Sequence, residues 1–315
     1  MDLKLIKSTF MFIDIVFITI YNVKCVSDIR AHEIRKEGMV MRRIIVDSGS
    51  SIKIDEKDKY GVDILPIQLQ MGEELFLDGV NLSTEEFYSR LKDSSQFPKT
   101  SLPSLEETQK LVDTYTSQGD EVLIITISSG ISGTYQAIKM LFDEYDNVEV
   151  FDSKLAVAGI RFLVEEANRY KDESMEFVIS KLNELVPRIV IAAVPETLDY
   201  LLAGGRLSKS SWMLGKLLSI IPIITFIDGK VEVLAKKRGI KLSRKALIDK
   251  IQEDKADKSY GIVAAYTYNK DNVETLIEML PEEYKGAISV YDDLCSSIAC
   301  HWGPNAYGFI YVKGN

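Results

Sequence analysis

The chain has 315 residues, with 46% apolar, 27% charged and 9% aromatic residues, the proportions of an ordinary globular protein with enough material for about two domains. Its 38 Lys and Arg against 47 Asp and Glu give a net charge of −9, which argues against a nucleic-acid footprint. Three cysteines cannot staple a chain of this size, so a reducing, cytoplasmic setting is expected; two histidines and no Cys-x-x-Cys pair offer no zinc site.

The stretch from Phe10 to Val23 follows Lys4 and Lys7 like a short signal peptide or anchor, but it is shorter than the roughly 18–20 residues that span a bilayer and Asp14 interrupts it. Lys36-Glu37-Gly38 can be encoded by a purine-rich run resembling a ribosome-binding site, just ahead of Met39 and Met41. Residues 1–40 are therefore expected to be a non-native extension, with Met41 the start and no stable membrane anchor. The extension holds six basic and five acidic residues and His32, which leaves the body with a net charge of −10 and His301 as its one histidine.

In the body, Ile44-Ile45-Val46 reads as a buried strand ending at Asp47-Ser48-Gly49-Ser50-Ser51, and Val62 to Leu69 as a second strand. Ser83-x-x-Glu86 and Ser104-x-x-Glu107 are capping boxes that open two helices, the second running to about Ser117. Strands at Glu121 to Ile127 and Val148 to Phe151 alternate with helices at Gly133 to Tyr145 and Leu155 to Tyr170, which implies a largely parallel sheet. After Pro187 the pattern changes. A strand at Ile189 to Val194 and a helix at Thr197 to Ala203 precede strands Ile220 to Phe226 and Lys230 to Ala235, which flank the hairpin signal Asp228-Gly229. A helix from Ser243, a strand at Gly261 to Tyr266, a helix at Asp271 to Leu280 and strands at Ile288 to Tyr291 and Phe309 to Val312 complete a mixed or antiparallel sheet with helices. The expected fold class is α/β, with an N-terminal domain over residues 41–188 and a C-terminal domain over 189–315.

Ligands of open parallel sheets bind beyond the carboxyl ends of the strands. Three loops there carry hydroxyls: Asp47 to Ser51, Ser128 to Thr134 and Asp152-Ser153. The middle loop, with Ser128, Ser129, Ser132 and Gly133, meets a helix N-terminus, where backbone N–H groups and the helix dipole favour an anion; a serine-rich cap is the alternative reading. Thr100 and Ser101 form a second hydroxyl pair ahead of Ser104, itself read as a cap. Arg206 follows the Gly204-Gly205 helix stop, Arg238 ends the run Lys236-Lys237-Arg238, and His301-Trp302-Gly303-Pro304 reads as a Gly/Pro loop between strands. Cys295 and Cys300 read as buried small residues, and Met71, Met140 and Met213 as core or tunnel lining. No Walker A, Gly-x-Gly-x-x-Gly or complete Gly-x-Ser-x-Gly motif is present, so neither ATP nor a dinucleotide has a recognisable site.

Taken in register, seven segments resemble the DegV family, the bacterial fatty-acid-binding proteins that serve fatty acid kinase. They are Asp47-Ser48 after the first strand, Lys99 to Pro103, Ser128 to Tyr135, Phe151 to Lys154, Leu198 to Ser208, and Gly229 to Gly239 followed by His301-x-Gly303-Pro304. The resemblance covers residues 41–315 and departs from the family pattern at Ser51, Leu102 and Asn305. It implies two α/β domains with a long-chain fatty acid between them and no other cofactor. The carboxylate would be held by Thr100 and Ser132, with Arg206, Arg238 and His301 at the head-group rim or a kinase-docking face. Asp47, Ser48, Ser101, Ser128, Ser129, Gly133 and Gly303 would support these loops. It further implies partners: an ATP-supplying fatty acid kinase and an enzyme that takes the acyl phosphate into phospholipid synthesis. The competing readings are a phosphosugar or other small-anion-binding or isomerase domain, which would use Asp47 and Asp152, and a serine hydrolase using Ser132 and His301.

Overall fold

In the computed structural model, which describes residues 40–93, 97–207 and 220–314, the run Ile44-Ile45-Val46 is the middle of β1 (Arg42–Asp47). Of the extension expected over residues 1–40, residues 1–39 lie outside the described residues. Strand β1 lies between β2 (Val62–Leu65) and β6 (Glu121–Thr126), and β7 (Val148–Asp152) extends the sheet in the order β2-β1-β6-β7, with every pairing parallel. The two central strands carry continuous apolar runs, Ile44 to Val46 and Val122 to Ile125, because helices cover both faces. Ile45, Val122 and Ile124 meet residues of α2 (Leu105–Thr116) and α3 (Thr134–Leu141). On the other face Ile44, Val46, Leu123 and Ile125 meet α4 (Ala158–Arg169) and α5 (Met175–Leu185).

The single strand expected over Val62 to Leu69 is two strands in two sheets. Pro66 has no N–H to continue the ladder, and after it β3 (Gln68–Met71) turns into a small antiparallel sheet, β4-β3-β5, with β4 (Glu74–Leu77) and β5 (Lys99–Ser101). The helix α1 (Thr84–Asp93) packs on this sheet through Phe87 and Tyr88, and its first turn is capped by Ser83, whose Oγ accepts from Glu86 N at 3.1 Å. Ser104 caps α2 in the same way, accepting from Glu107 N.

The remaining strands form a six-stranded sheet, β10-β9-β8-β13-β11-β12: β8 (Ile189–Val194), β9 (Ile220–Ile227), β10 (Lys230–Arg238), β11 (Ile262–Tyr266), β12 (Ile288–Asp293) and β13 (Tyr307–Val312). Asp228 (φ 49°) and Gly229 (φ 79°) both take left-handed backbone angles, the geometry of a tight hairpin turn between β9 and β10. Side chains alternate across the central strands. Val190, Ala192 and Phe309 face a cluster with α7 (Ile240–Glu253) and α8 (Asp271–Glu278), whereas Ile191, Val263 and Ile310 join the cluster that contains α4, α5 and the first sheet. The loop expected around His301 is instead the last turn of α9 (Ser296–Trp302), and only Gly303 (φ 72°) breaks the helix. No helix among the described residues is long and apolar enough to cross a membrane.

Candidate functional site

A cavity of about 300 Å³ opens beyond the carboxyl end of β6. Its polar lining is Thr100, Ser101, Ser132, Ser297, Arg206 and His301, and its apolar lining includes Ile127, Ile131, Leu201, Phe226, Ile298 and Trp302. Four of the five residues assigned to the head group or its rim thus share one chamber. The small antiparallel sheet and α9 deliver Thr100 and His301 together, because Ala299 and Cys300 of α9 pack among Leu69, Phe76 and Phe87 of that unit.

Thr100 Oγ1 lies 2.9 Å from His301 Nε2 in a hydrogen bond whose direction the imidazole tautomer sets. His301 Nδ1 is buried with no hydrogen-bond partner among the described residues and faces Gly204, where an added Cβ would stand 2.2 Å from it. Burial, aided by the Arg206 charge, lowers the imidazole from 6.5 to about 3, so the ring is a neutral hydrogen-bonding group at physiological pH. The unfolded chain protonates this histidine near 6.5 whereas the native state resists, so the contribution of the buried ring to stability is whole above about pH 6.5 and declines as pH falls toward 3. The assigned His301 ring signals in an NMR titration should stay flat from pH 8 to 5; a midpoint near 6.5 would show a solvated ring.

Opposite these groups, Ser132 precedes the first turn of α3. Its Oγ lies 2.8 Å from Thr134 Oγ1 and accepts from Thr134 N at 3.3 Å, so the hydroxyl is held at the helix N-terminus. Arg206 follows α6 (Asp199–Ala203) and is half-buried; its Nε donates to Ile131 O at 2.9 Å and its Nη1 to Gly204 O. No carboxylate among the described residues pairs with it, and burial lowers its pKa. The same guanidinium borders a shallow surface depression floored by Gly130, Gly133, Gly204 and Gly205, beside Ser129 and Ser132. Arg238 is not brought to this chamber. It is exposed opposite Ile220 at the end of β10, about 25 Å along the strand from the hairpin tip at Gly229 that meets the Ser128 loop.

The supporting residues act as staples. Asp47 accepts from Ile127 N (2.7 Å) and Gly49 N (2.9 Å), tying β1 to β6; full burial raises its carboxyl to about 7. Ser48 donates to Asp78 and accepts from Ile67 N, and Ser128 donates to Gly229 O at 2.7 Å. Asp152 accepts from Ser129 N and pairs with Lys154, which also donates to Ser129 Oγ. Gly133 lines the cavity at the N-terminus of α3, and Gly303 leaves room for the Tyr200 ring. Asp47 and Asp152 are thus engaged outside the cavity, and no carboxylate among the described residues lines it. The hydroxyl facing His301 is that of Thr100, while Ser132 bonds Thr134, so no Ser–His pair is formed.

Motif reading missed Phe226, Leu201, Ser297 and Trp302, because nothing in their local sequence distinguishes a cavity wall from core. Of the methionines, Met71 packs under the small sheet, Met140 is 81% exposed, and Met213 lies outside the described residues. Of the departures, Leu102 lines the cavity, Ser51 (φ 54°) lies next to Cys295, and the Asn305 amide donates to Glu196. Cys300 is buried and donates to Pro98 O.

This α/β protein thus carries a cavity whose largely apolar lining is joined by hydroxyls, a neutral imidazole and one guanidinium, a combination that suits an amphipathic ligand. Residues 41–314 match the model of the DegV family of uncharacterised proteins, and the chain belongs to that family. It is 32% identical over 273 residues to a DegV domain-containing protein of Streptococcus pyogenes, covering 84% of this chain and 96% of that one. Among solved structures it is similar to a fatty acid binding DegV family protein of Streptococcus agalactiae (TM-score 0.79, 29% identity, 88% of this chain and 100% of the other). It is also similar to a DegV family protein of Thermus thermophilus that binds fatty acid (TM-score 0.77, 28% identity, 87% and 100%). Both of these solved proteins bind fatty acid.

Proposed function

We propose that this chain binds one long-chain fatty acid, holds the carboxylate between Thr100 and Ser132, and presents it to a separate ATP-dependent fatty acid kinase. The observation that carries the reading is one chamber whose largely apolar lining is joined by hydroxyls, a neutral imidazole and the Arg206 guanidinium. Each methylene removed from water contributes about 0.8 kcal/mol, so a long acyl chain gains on the order of 10 kcal/mol. A desolvated carboxylate must keep hydrogen bonds, and two hydroxyls beside a helix N-terminus supply them without neutralising it. The carboxylate remains a nucleophile that can attack a phosphoryl group. The sequence offers no ATP motif, so the phosphoryl donor is assigned to the kinase, which approaches by the glycine-floored depression beside Arg206. The acyl phosphate then passes to an acceptor enzyme of phospholipid synthesis. Denaturing the purified protein and analysing the released small molecules by mass spectrometry should yield one long-chain fatty acid per chain. A phosphorylated sugar, or no lipid at saturating fatty acid, would overturn the reading.

A further inference from the structure

The interior end of the cavity has a feature that binding of a carboxylate does not require. A second, smaller space of about 30 Å³ shares Ala156, Phe226 and Trp302 with the main chamber and extends from it to the face of the six-stranded sheet. That space is large enough to admit a chain terminus. Its floor is one row of residues across three adjacent strands: Ala193 of β8 lies opposite Gly308 of β13, and Gly308 lies opposite Ala265 of β11. The neighbouring row on the same face, about 7 Å away, is Ile191, Ile310 and Val263. Branched side chains thus give way to two methyl groups and a hydrogen, which leaves a trough about 10 Å across between the outer two strands. Ala193 is partly accessible although β8 lies inside the sheet between β9 and β13. Gly308 admits no substitution there, since a Cβ would stand 2.2 Å from Ala192 O.

We propose that Ala193 and Ala265 set the length of acyl chain this protein accepts, with the methyl end of the ligand stopping in the trough over Gly308. The proposal rests on the fatty-acid reading above. Affinity then grows by about fourfold per methylene until the chain end reaches the trough, and no further. A larger side chain at either alanine raises the floor, shortens the path and leaves Thr100, Ser132 and His301 untouched.

Delipidated full-length protein is titrated with dodecanoic, tetradecanoic, hexadecanoic and octadecanoic acids, and the wild type is compared with Ala265→Leu. The expected result is a loss of at least tenfold for the longest acid that the wild type binds best, with dodecanoic acid held within threefold. Ala265→Val and Ala193→Val, each checked by thermal unfolding, carry the same comparison if the leucine variant does not fold. An equal loss at all four lengths, or unchanged affinity at all four in folded variants, would overturn the assignment of the trough. Wild-type protein that binds none of the four acids would instead defeat the fatty-acid reading itself.

Discussion

Replacing both hydroxyls, as Thr100→Ala with Ser132→Ala, should lower fatty-acid affinity by roughly two to four orders of magnitude. A hydrogen bond to a buried charged group is worth roughly 1.5–3 kcal/mol, and the carboxylate has two of them to lose. The two positions belong to different units. Thr100 lies on β5 of the small sheet, and Ser132 precedes α3 of the parallel sheet. Their hydroxyls have different hydrogen-bond partners, since Thr100 bonds His301 and Ser132 bonds Thr134. The single variants should therefore each lose part of the affinity, and their losses should combine. Thr100→Ala should cost slightly more, because it also leaves His301 Nε2 without its partner in a buried site. Calorimetric titration of delipidated protein measures this, with the unfolding temperature as the control for folding. Unchanged affinity in a folded double variant would remove both residues from the head group.

Arg206→Ala should leave fatty-acid affinity within a few-fold of wild type yet slow ATP-dependent acyl phosphate formation by the cognate kinase at least tenfold. A guanidinium has five N–H donors, and the two bonds to Ile131 O and Gly204 O leave others for an incoming group. The acyl phosphate carries more negative charge than the carboxylate it replaces. A half-buried cation at the boundary between cavity and surface depression therefore favours the product over the reactant. Arg238→Ala is the matched control for binding, since its side chain lies at the opposite end of β10 and should leave affinity unchanged. Lipid binding and phosphorylation are measured on the same preparations. Wild-type phosphorylation by the Arg206 variant would rule out the role at the mouth.

Much of the sheet architecture was legible because its signals are local. Glu121 to Ile127 is too apolar for a one-sided strand, Ser83 and Ser104 sit three residues before a glutamate, and Asp228-Gly229 needs two left-handed residues in a row. The errors fall where a distant partner decides. Val62 to Leu69 has one strand's composition, yet Pro66 divides it between two sheets whose pairing partners lie elsewhere in the chain. His301 to Pro304 looks like a loop because Gly303 and Pro304 dominate a short window. The preceding Ser296-to-Trp302 segment is helical because Ala299 and Cys300 find a core under the small sheet.

For the site, residue type and near neighbours were enough to mark the hydroxyl loops at strand ends, the cation after the Gly-Gly stop and the single histidine of the body. Tertiary structure alone decided which of them meet. Thr100 and His301 are 201 positions apart and share a hydrogen bond. Arg206 is clamped to Ile131 across 75 positions, whereas Arg238 is carried away by the length of its own strand. The apolar end of the cavity was hidden for the same reason. Ala193, Ala265 and Gly308 are unremarkable in sequence, and they form a trough only because cross-strand register places three small residues in one row beside a row of branched ones.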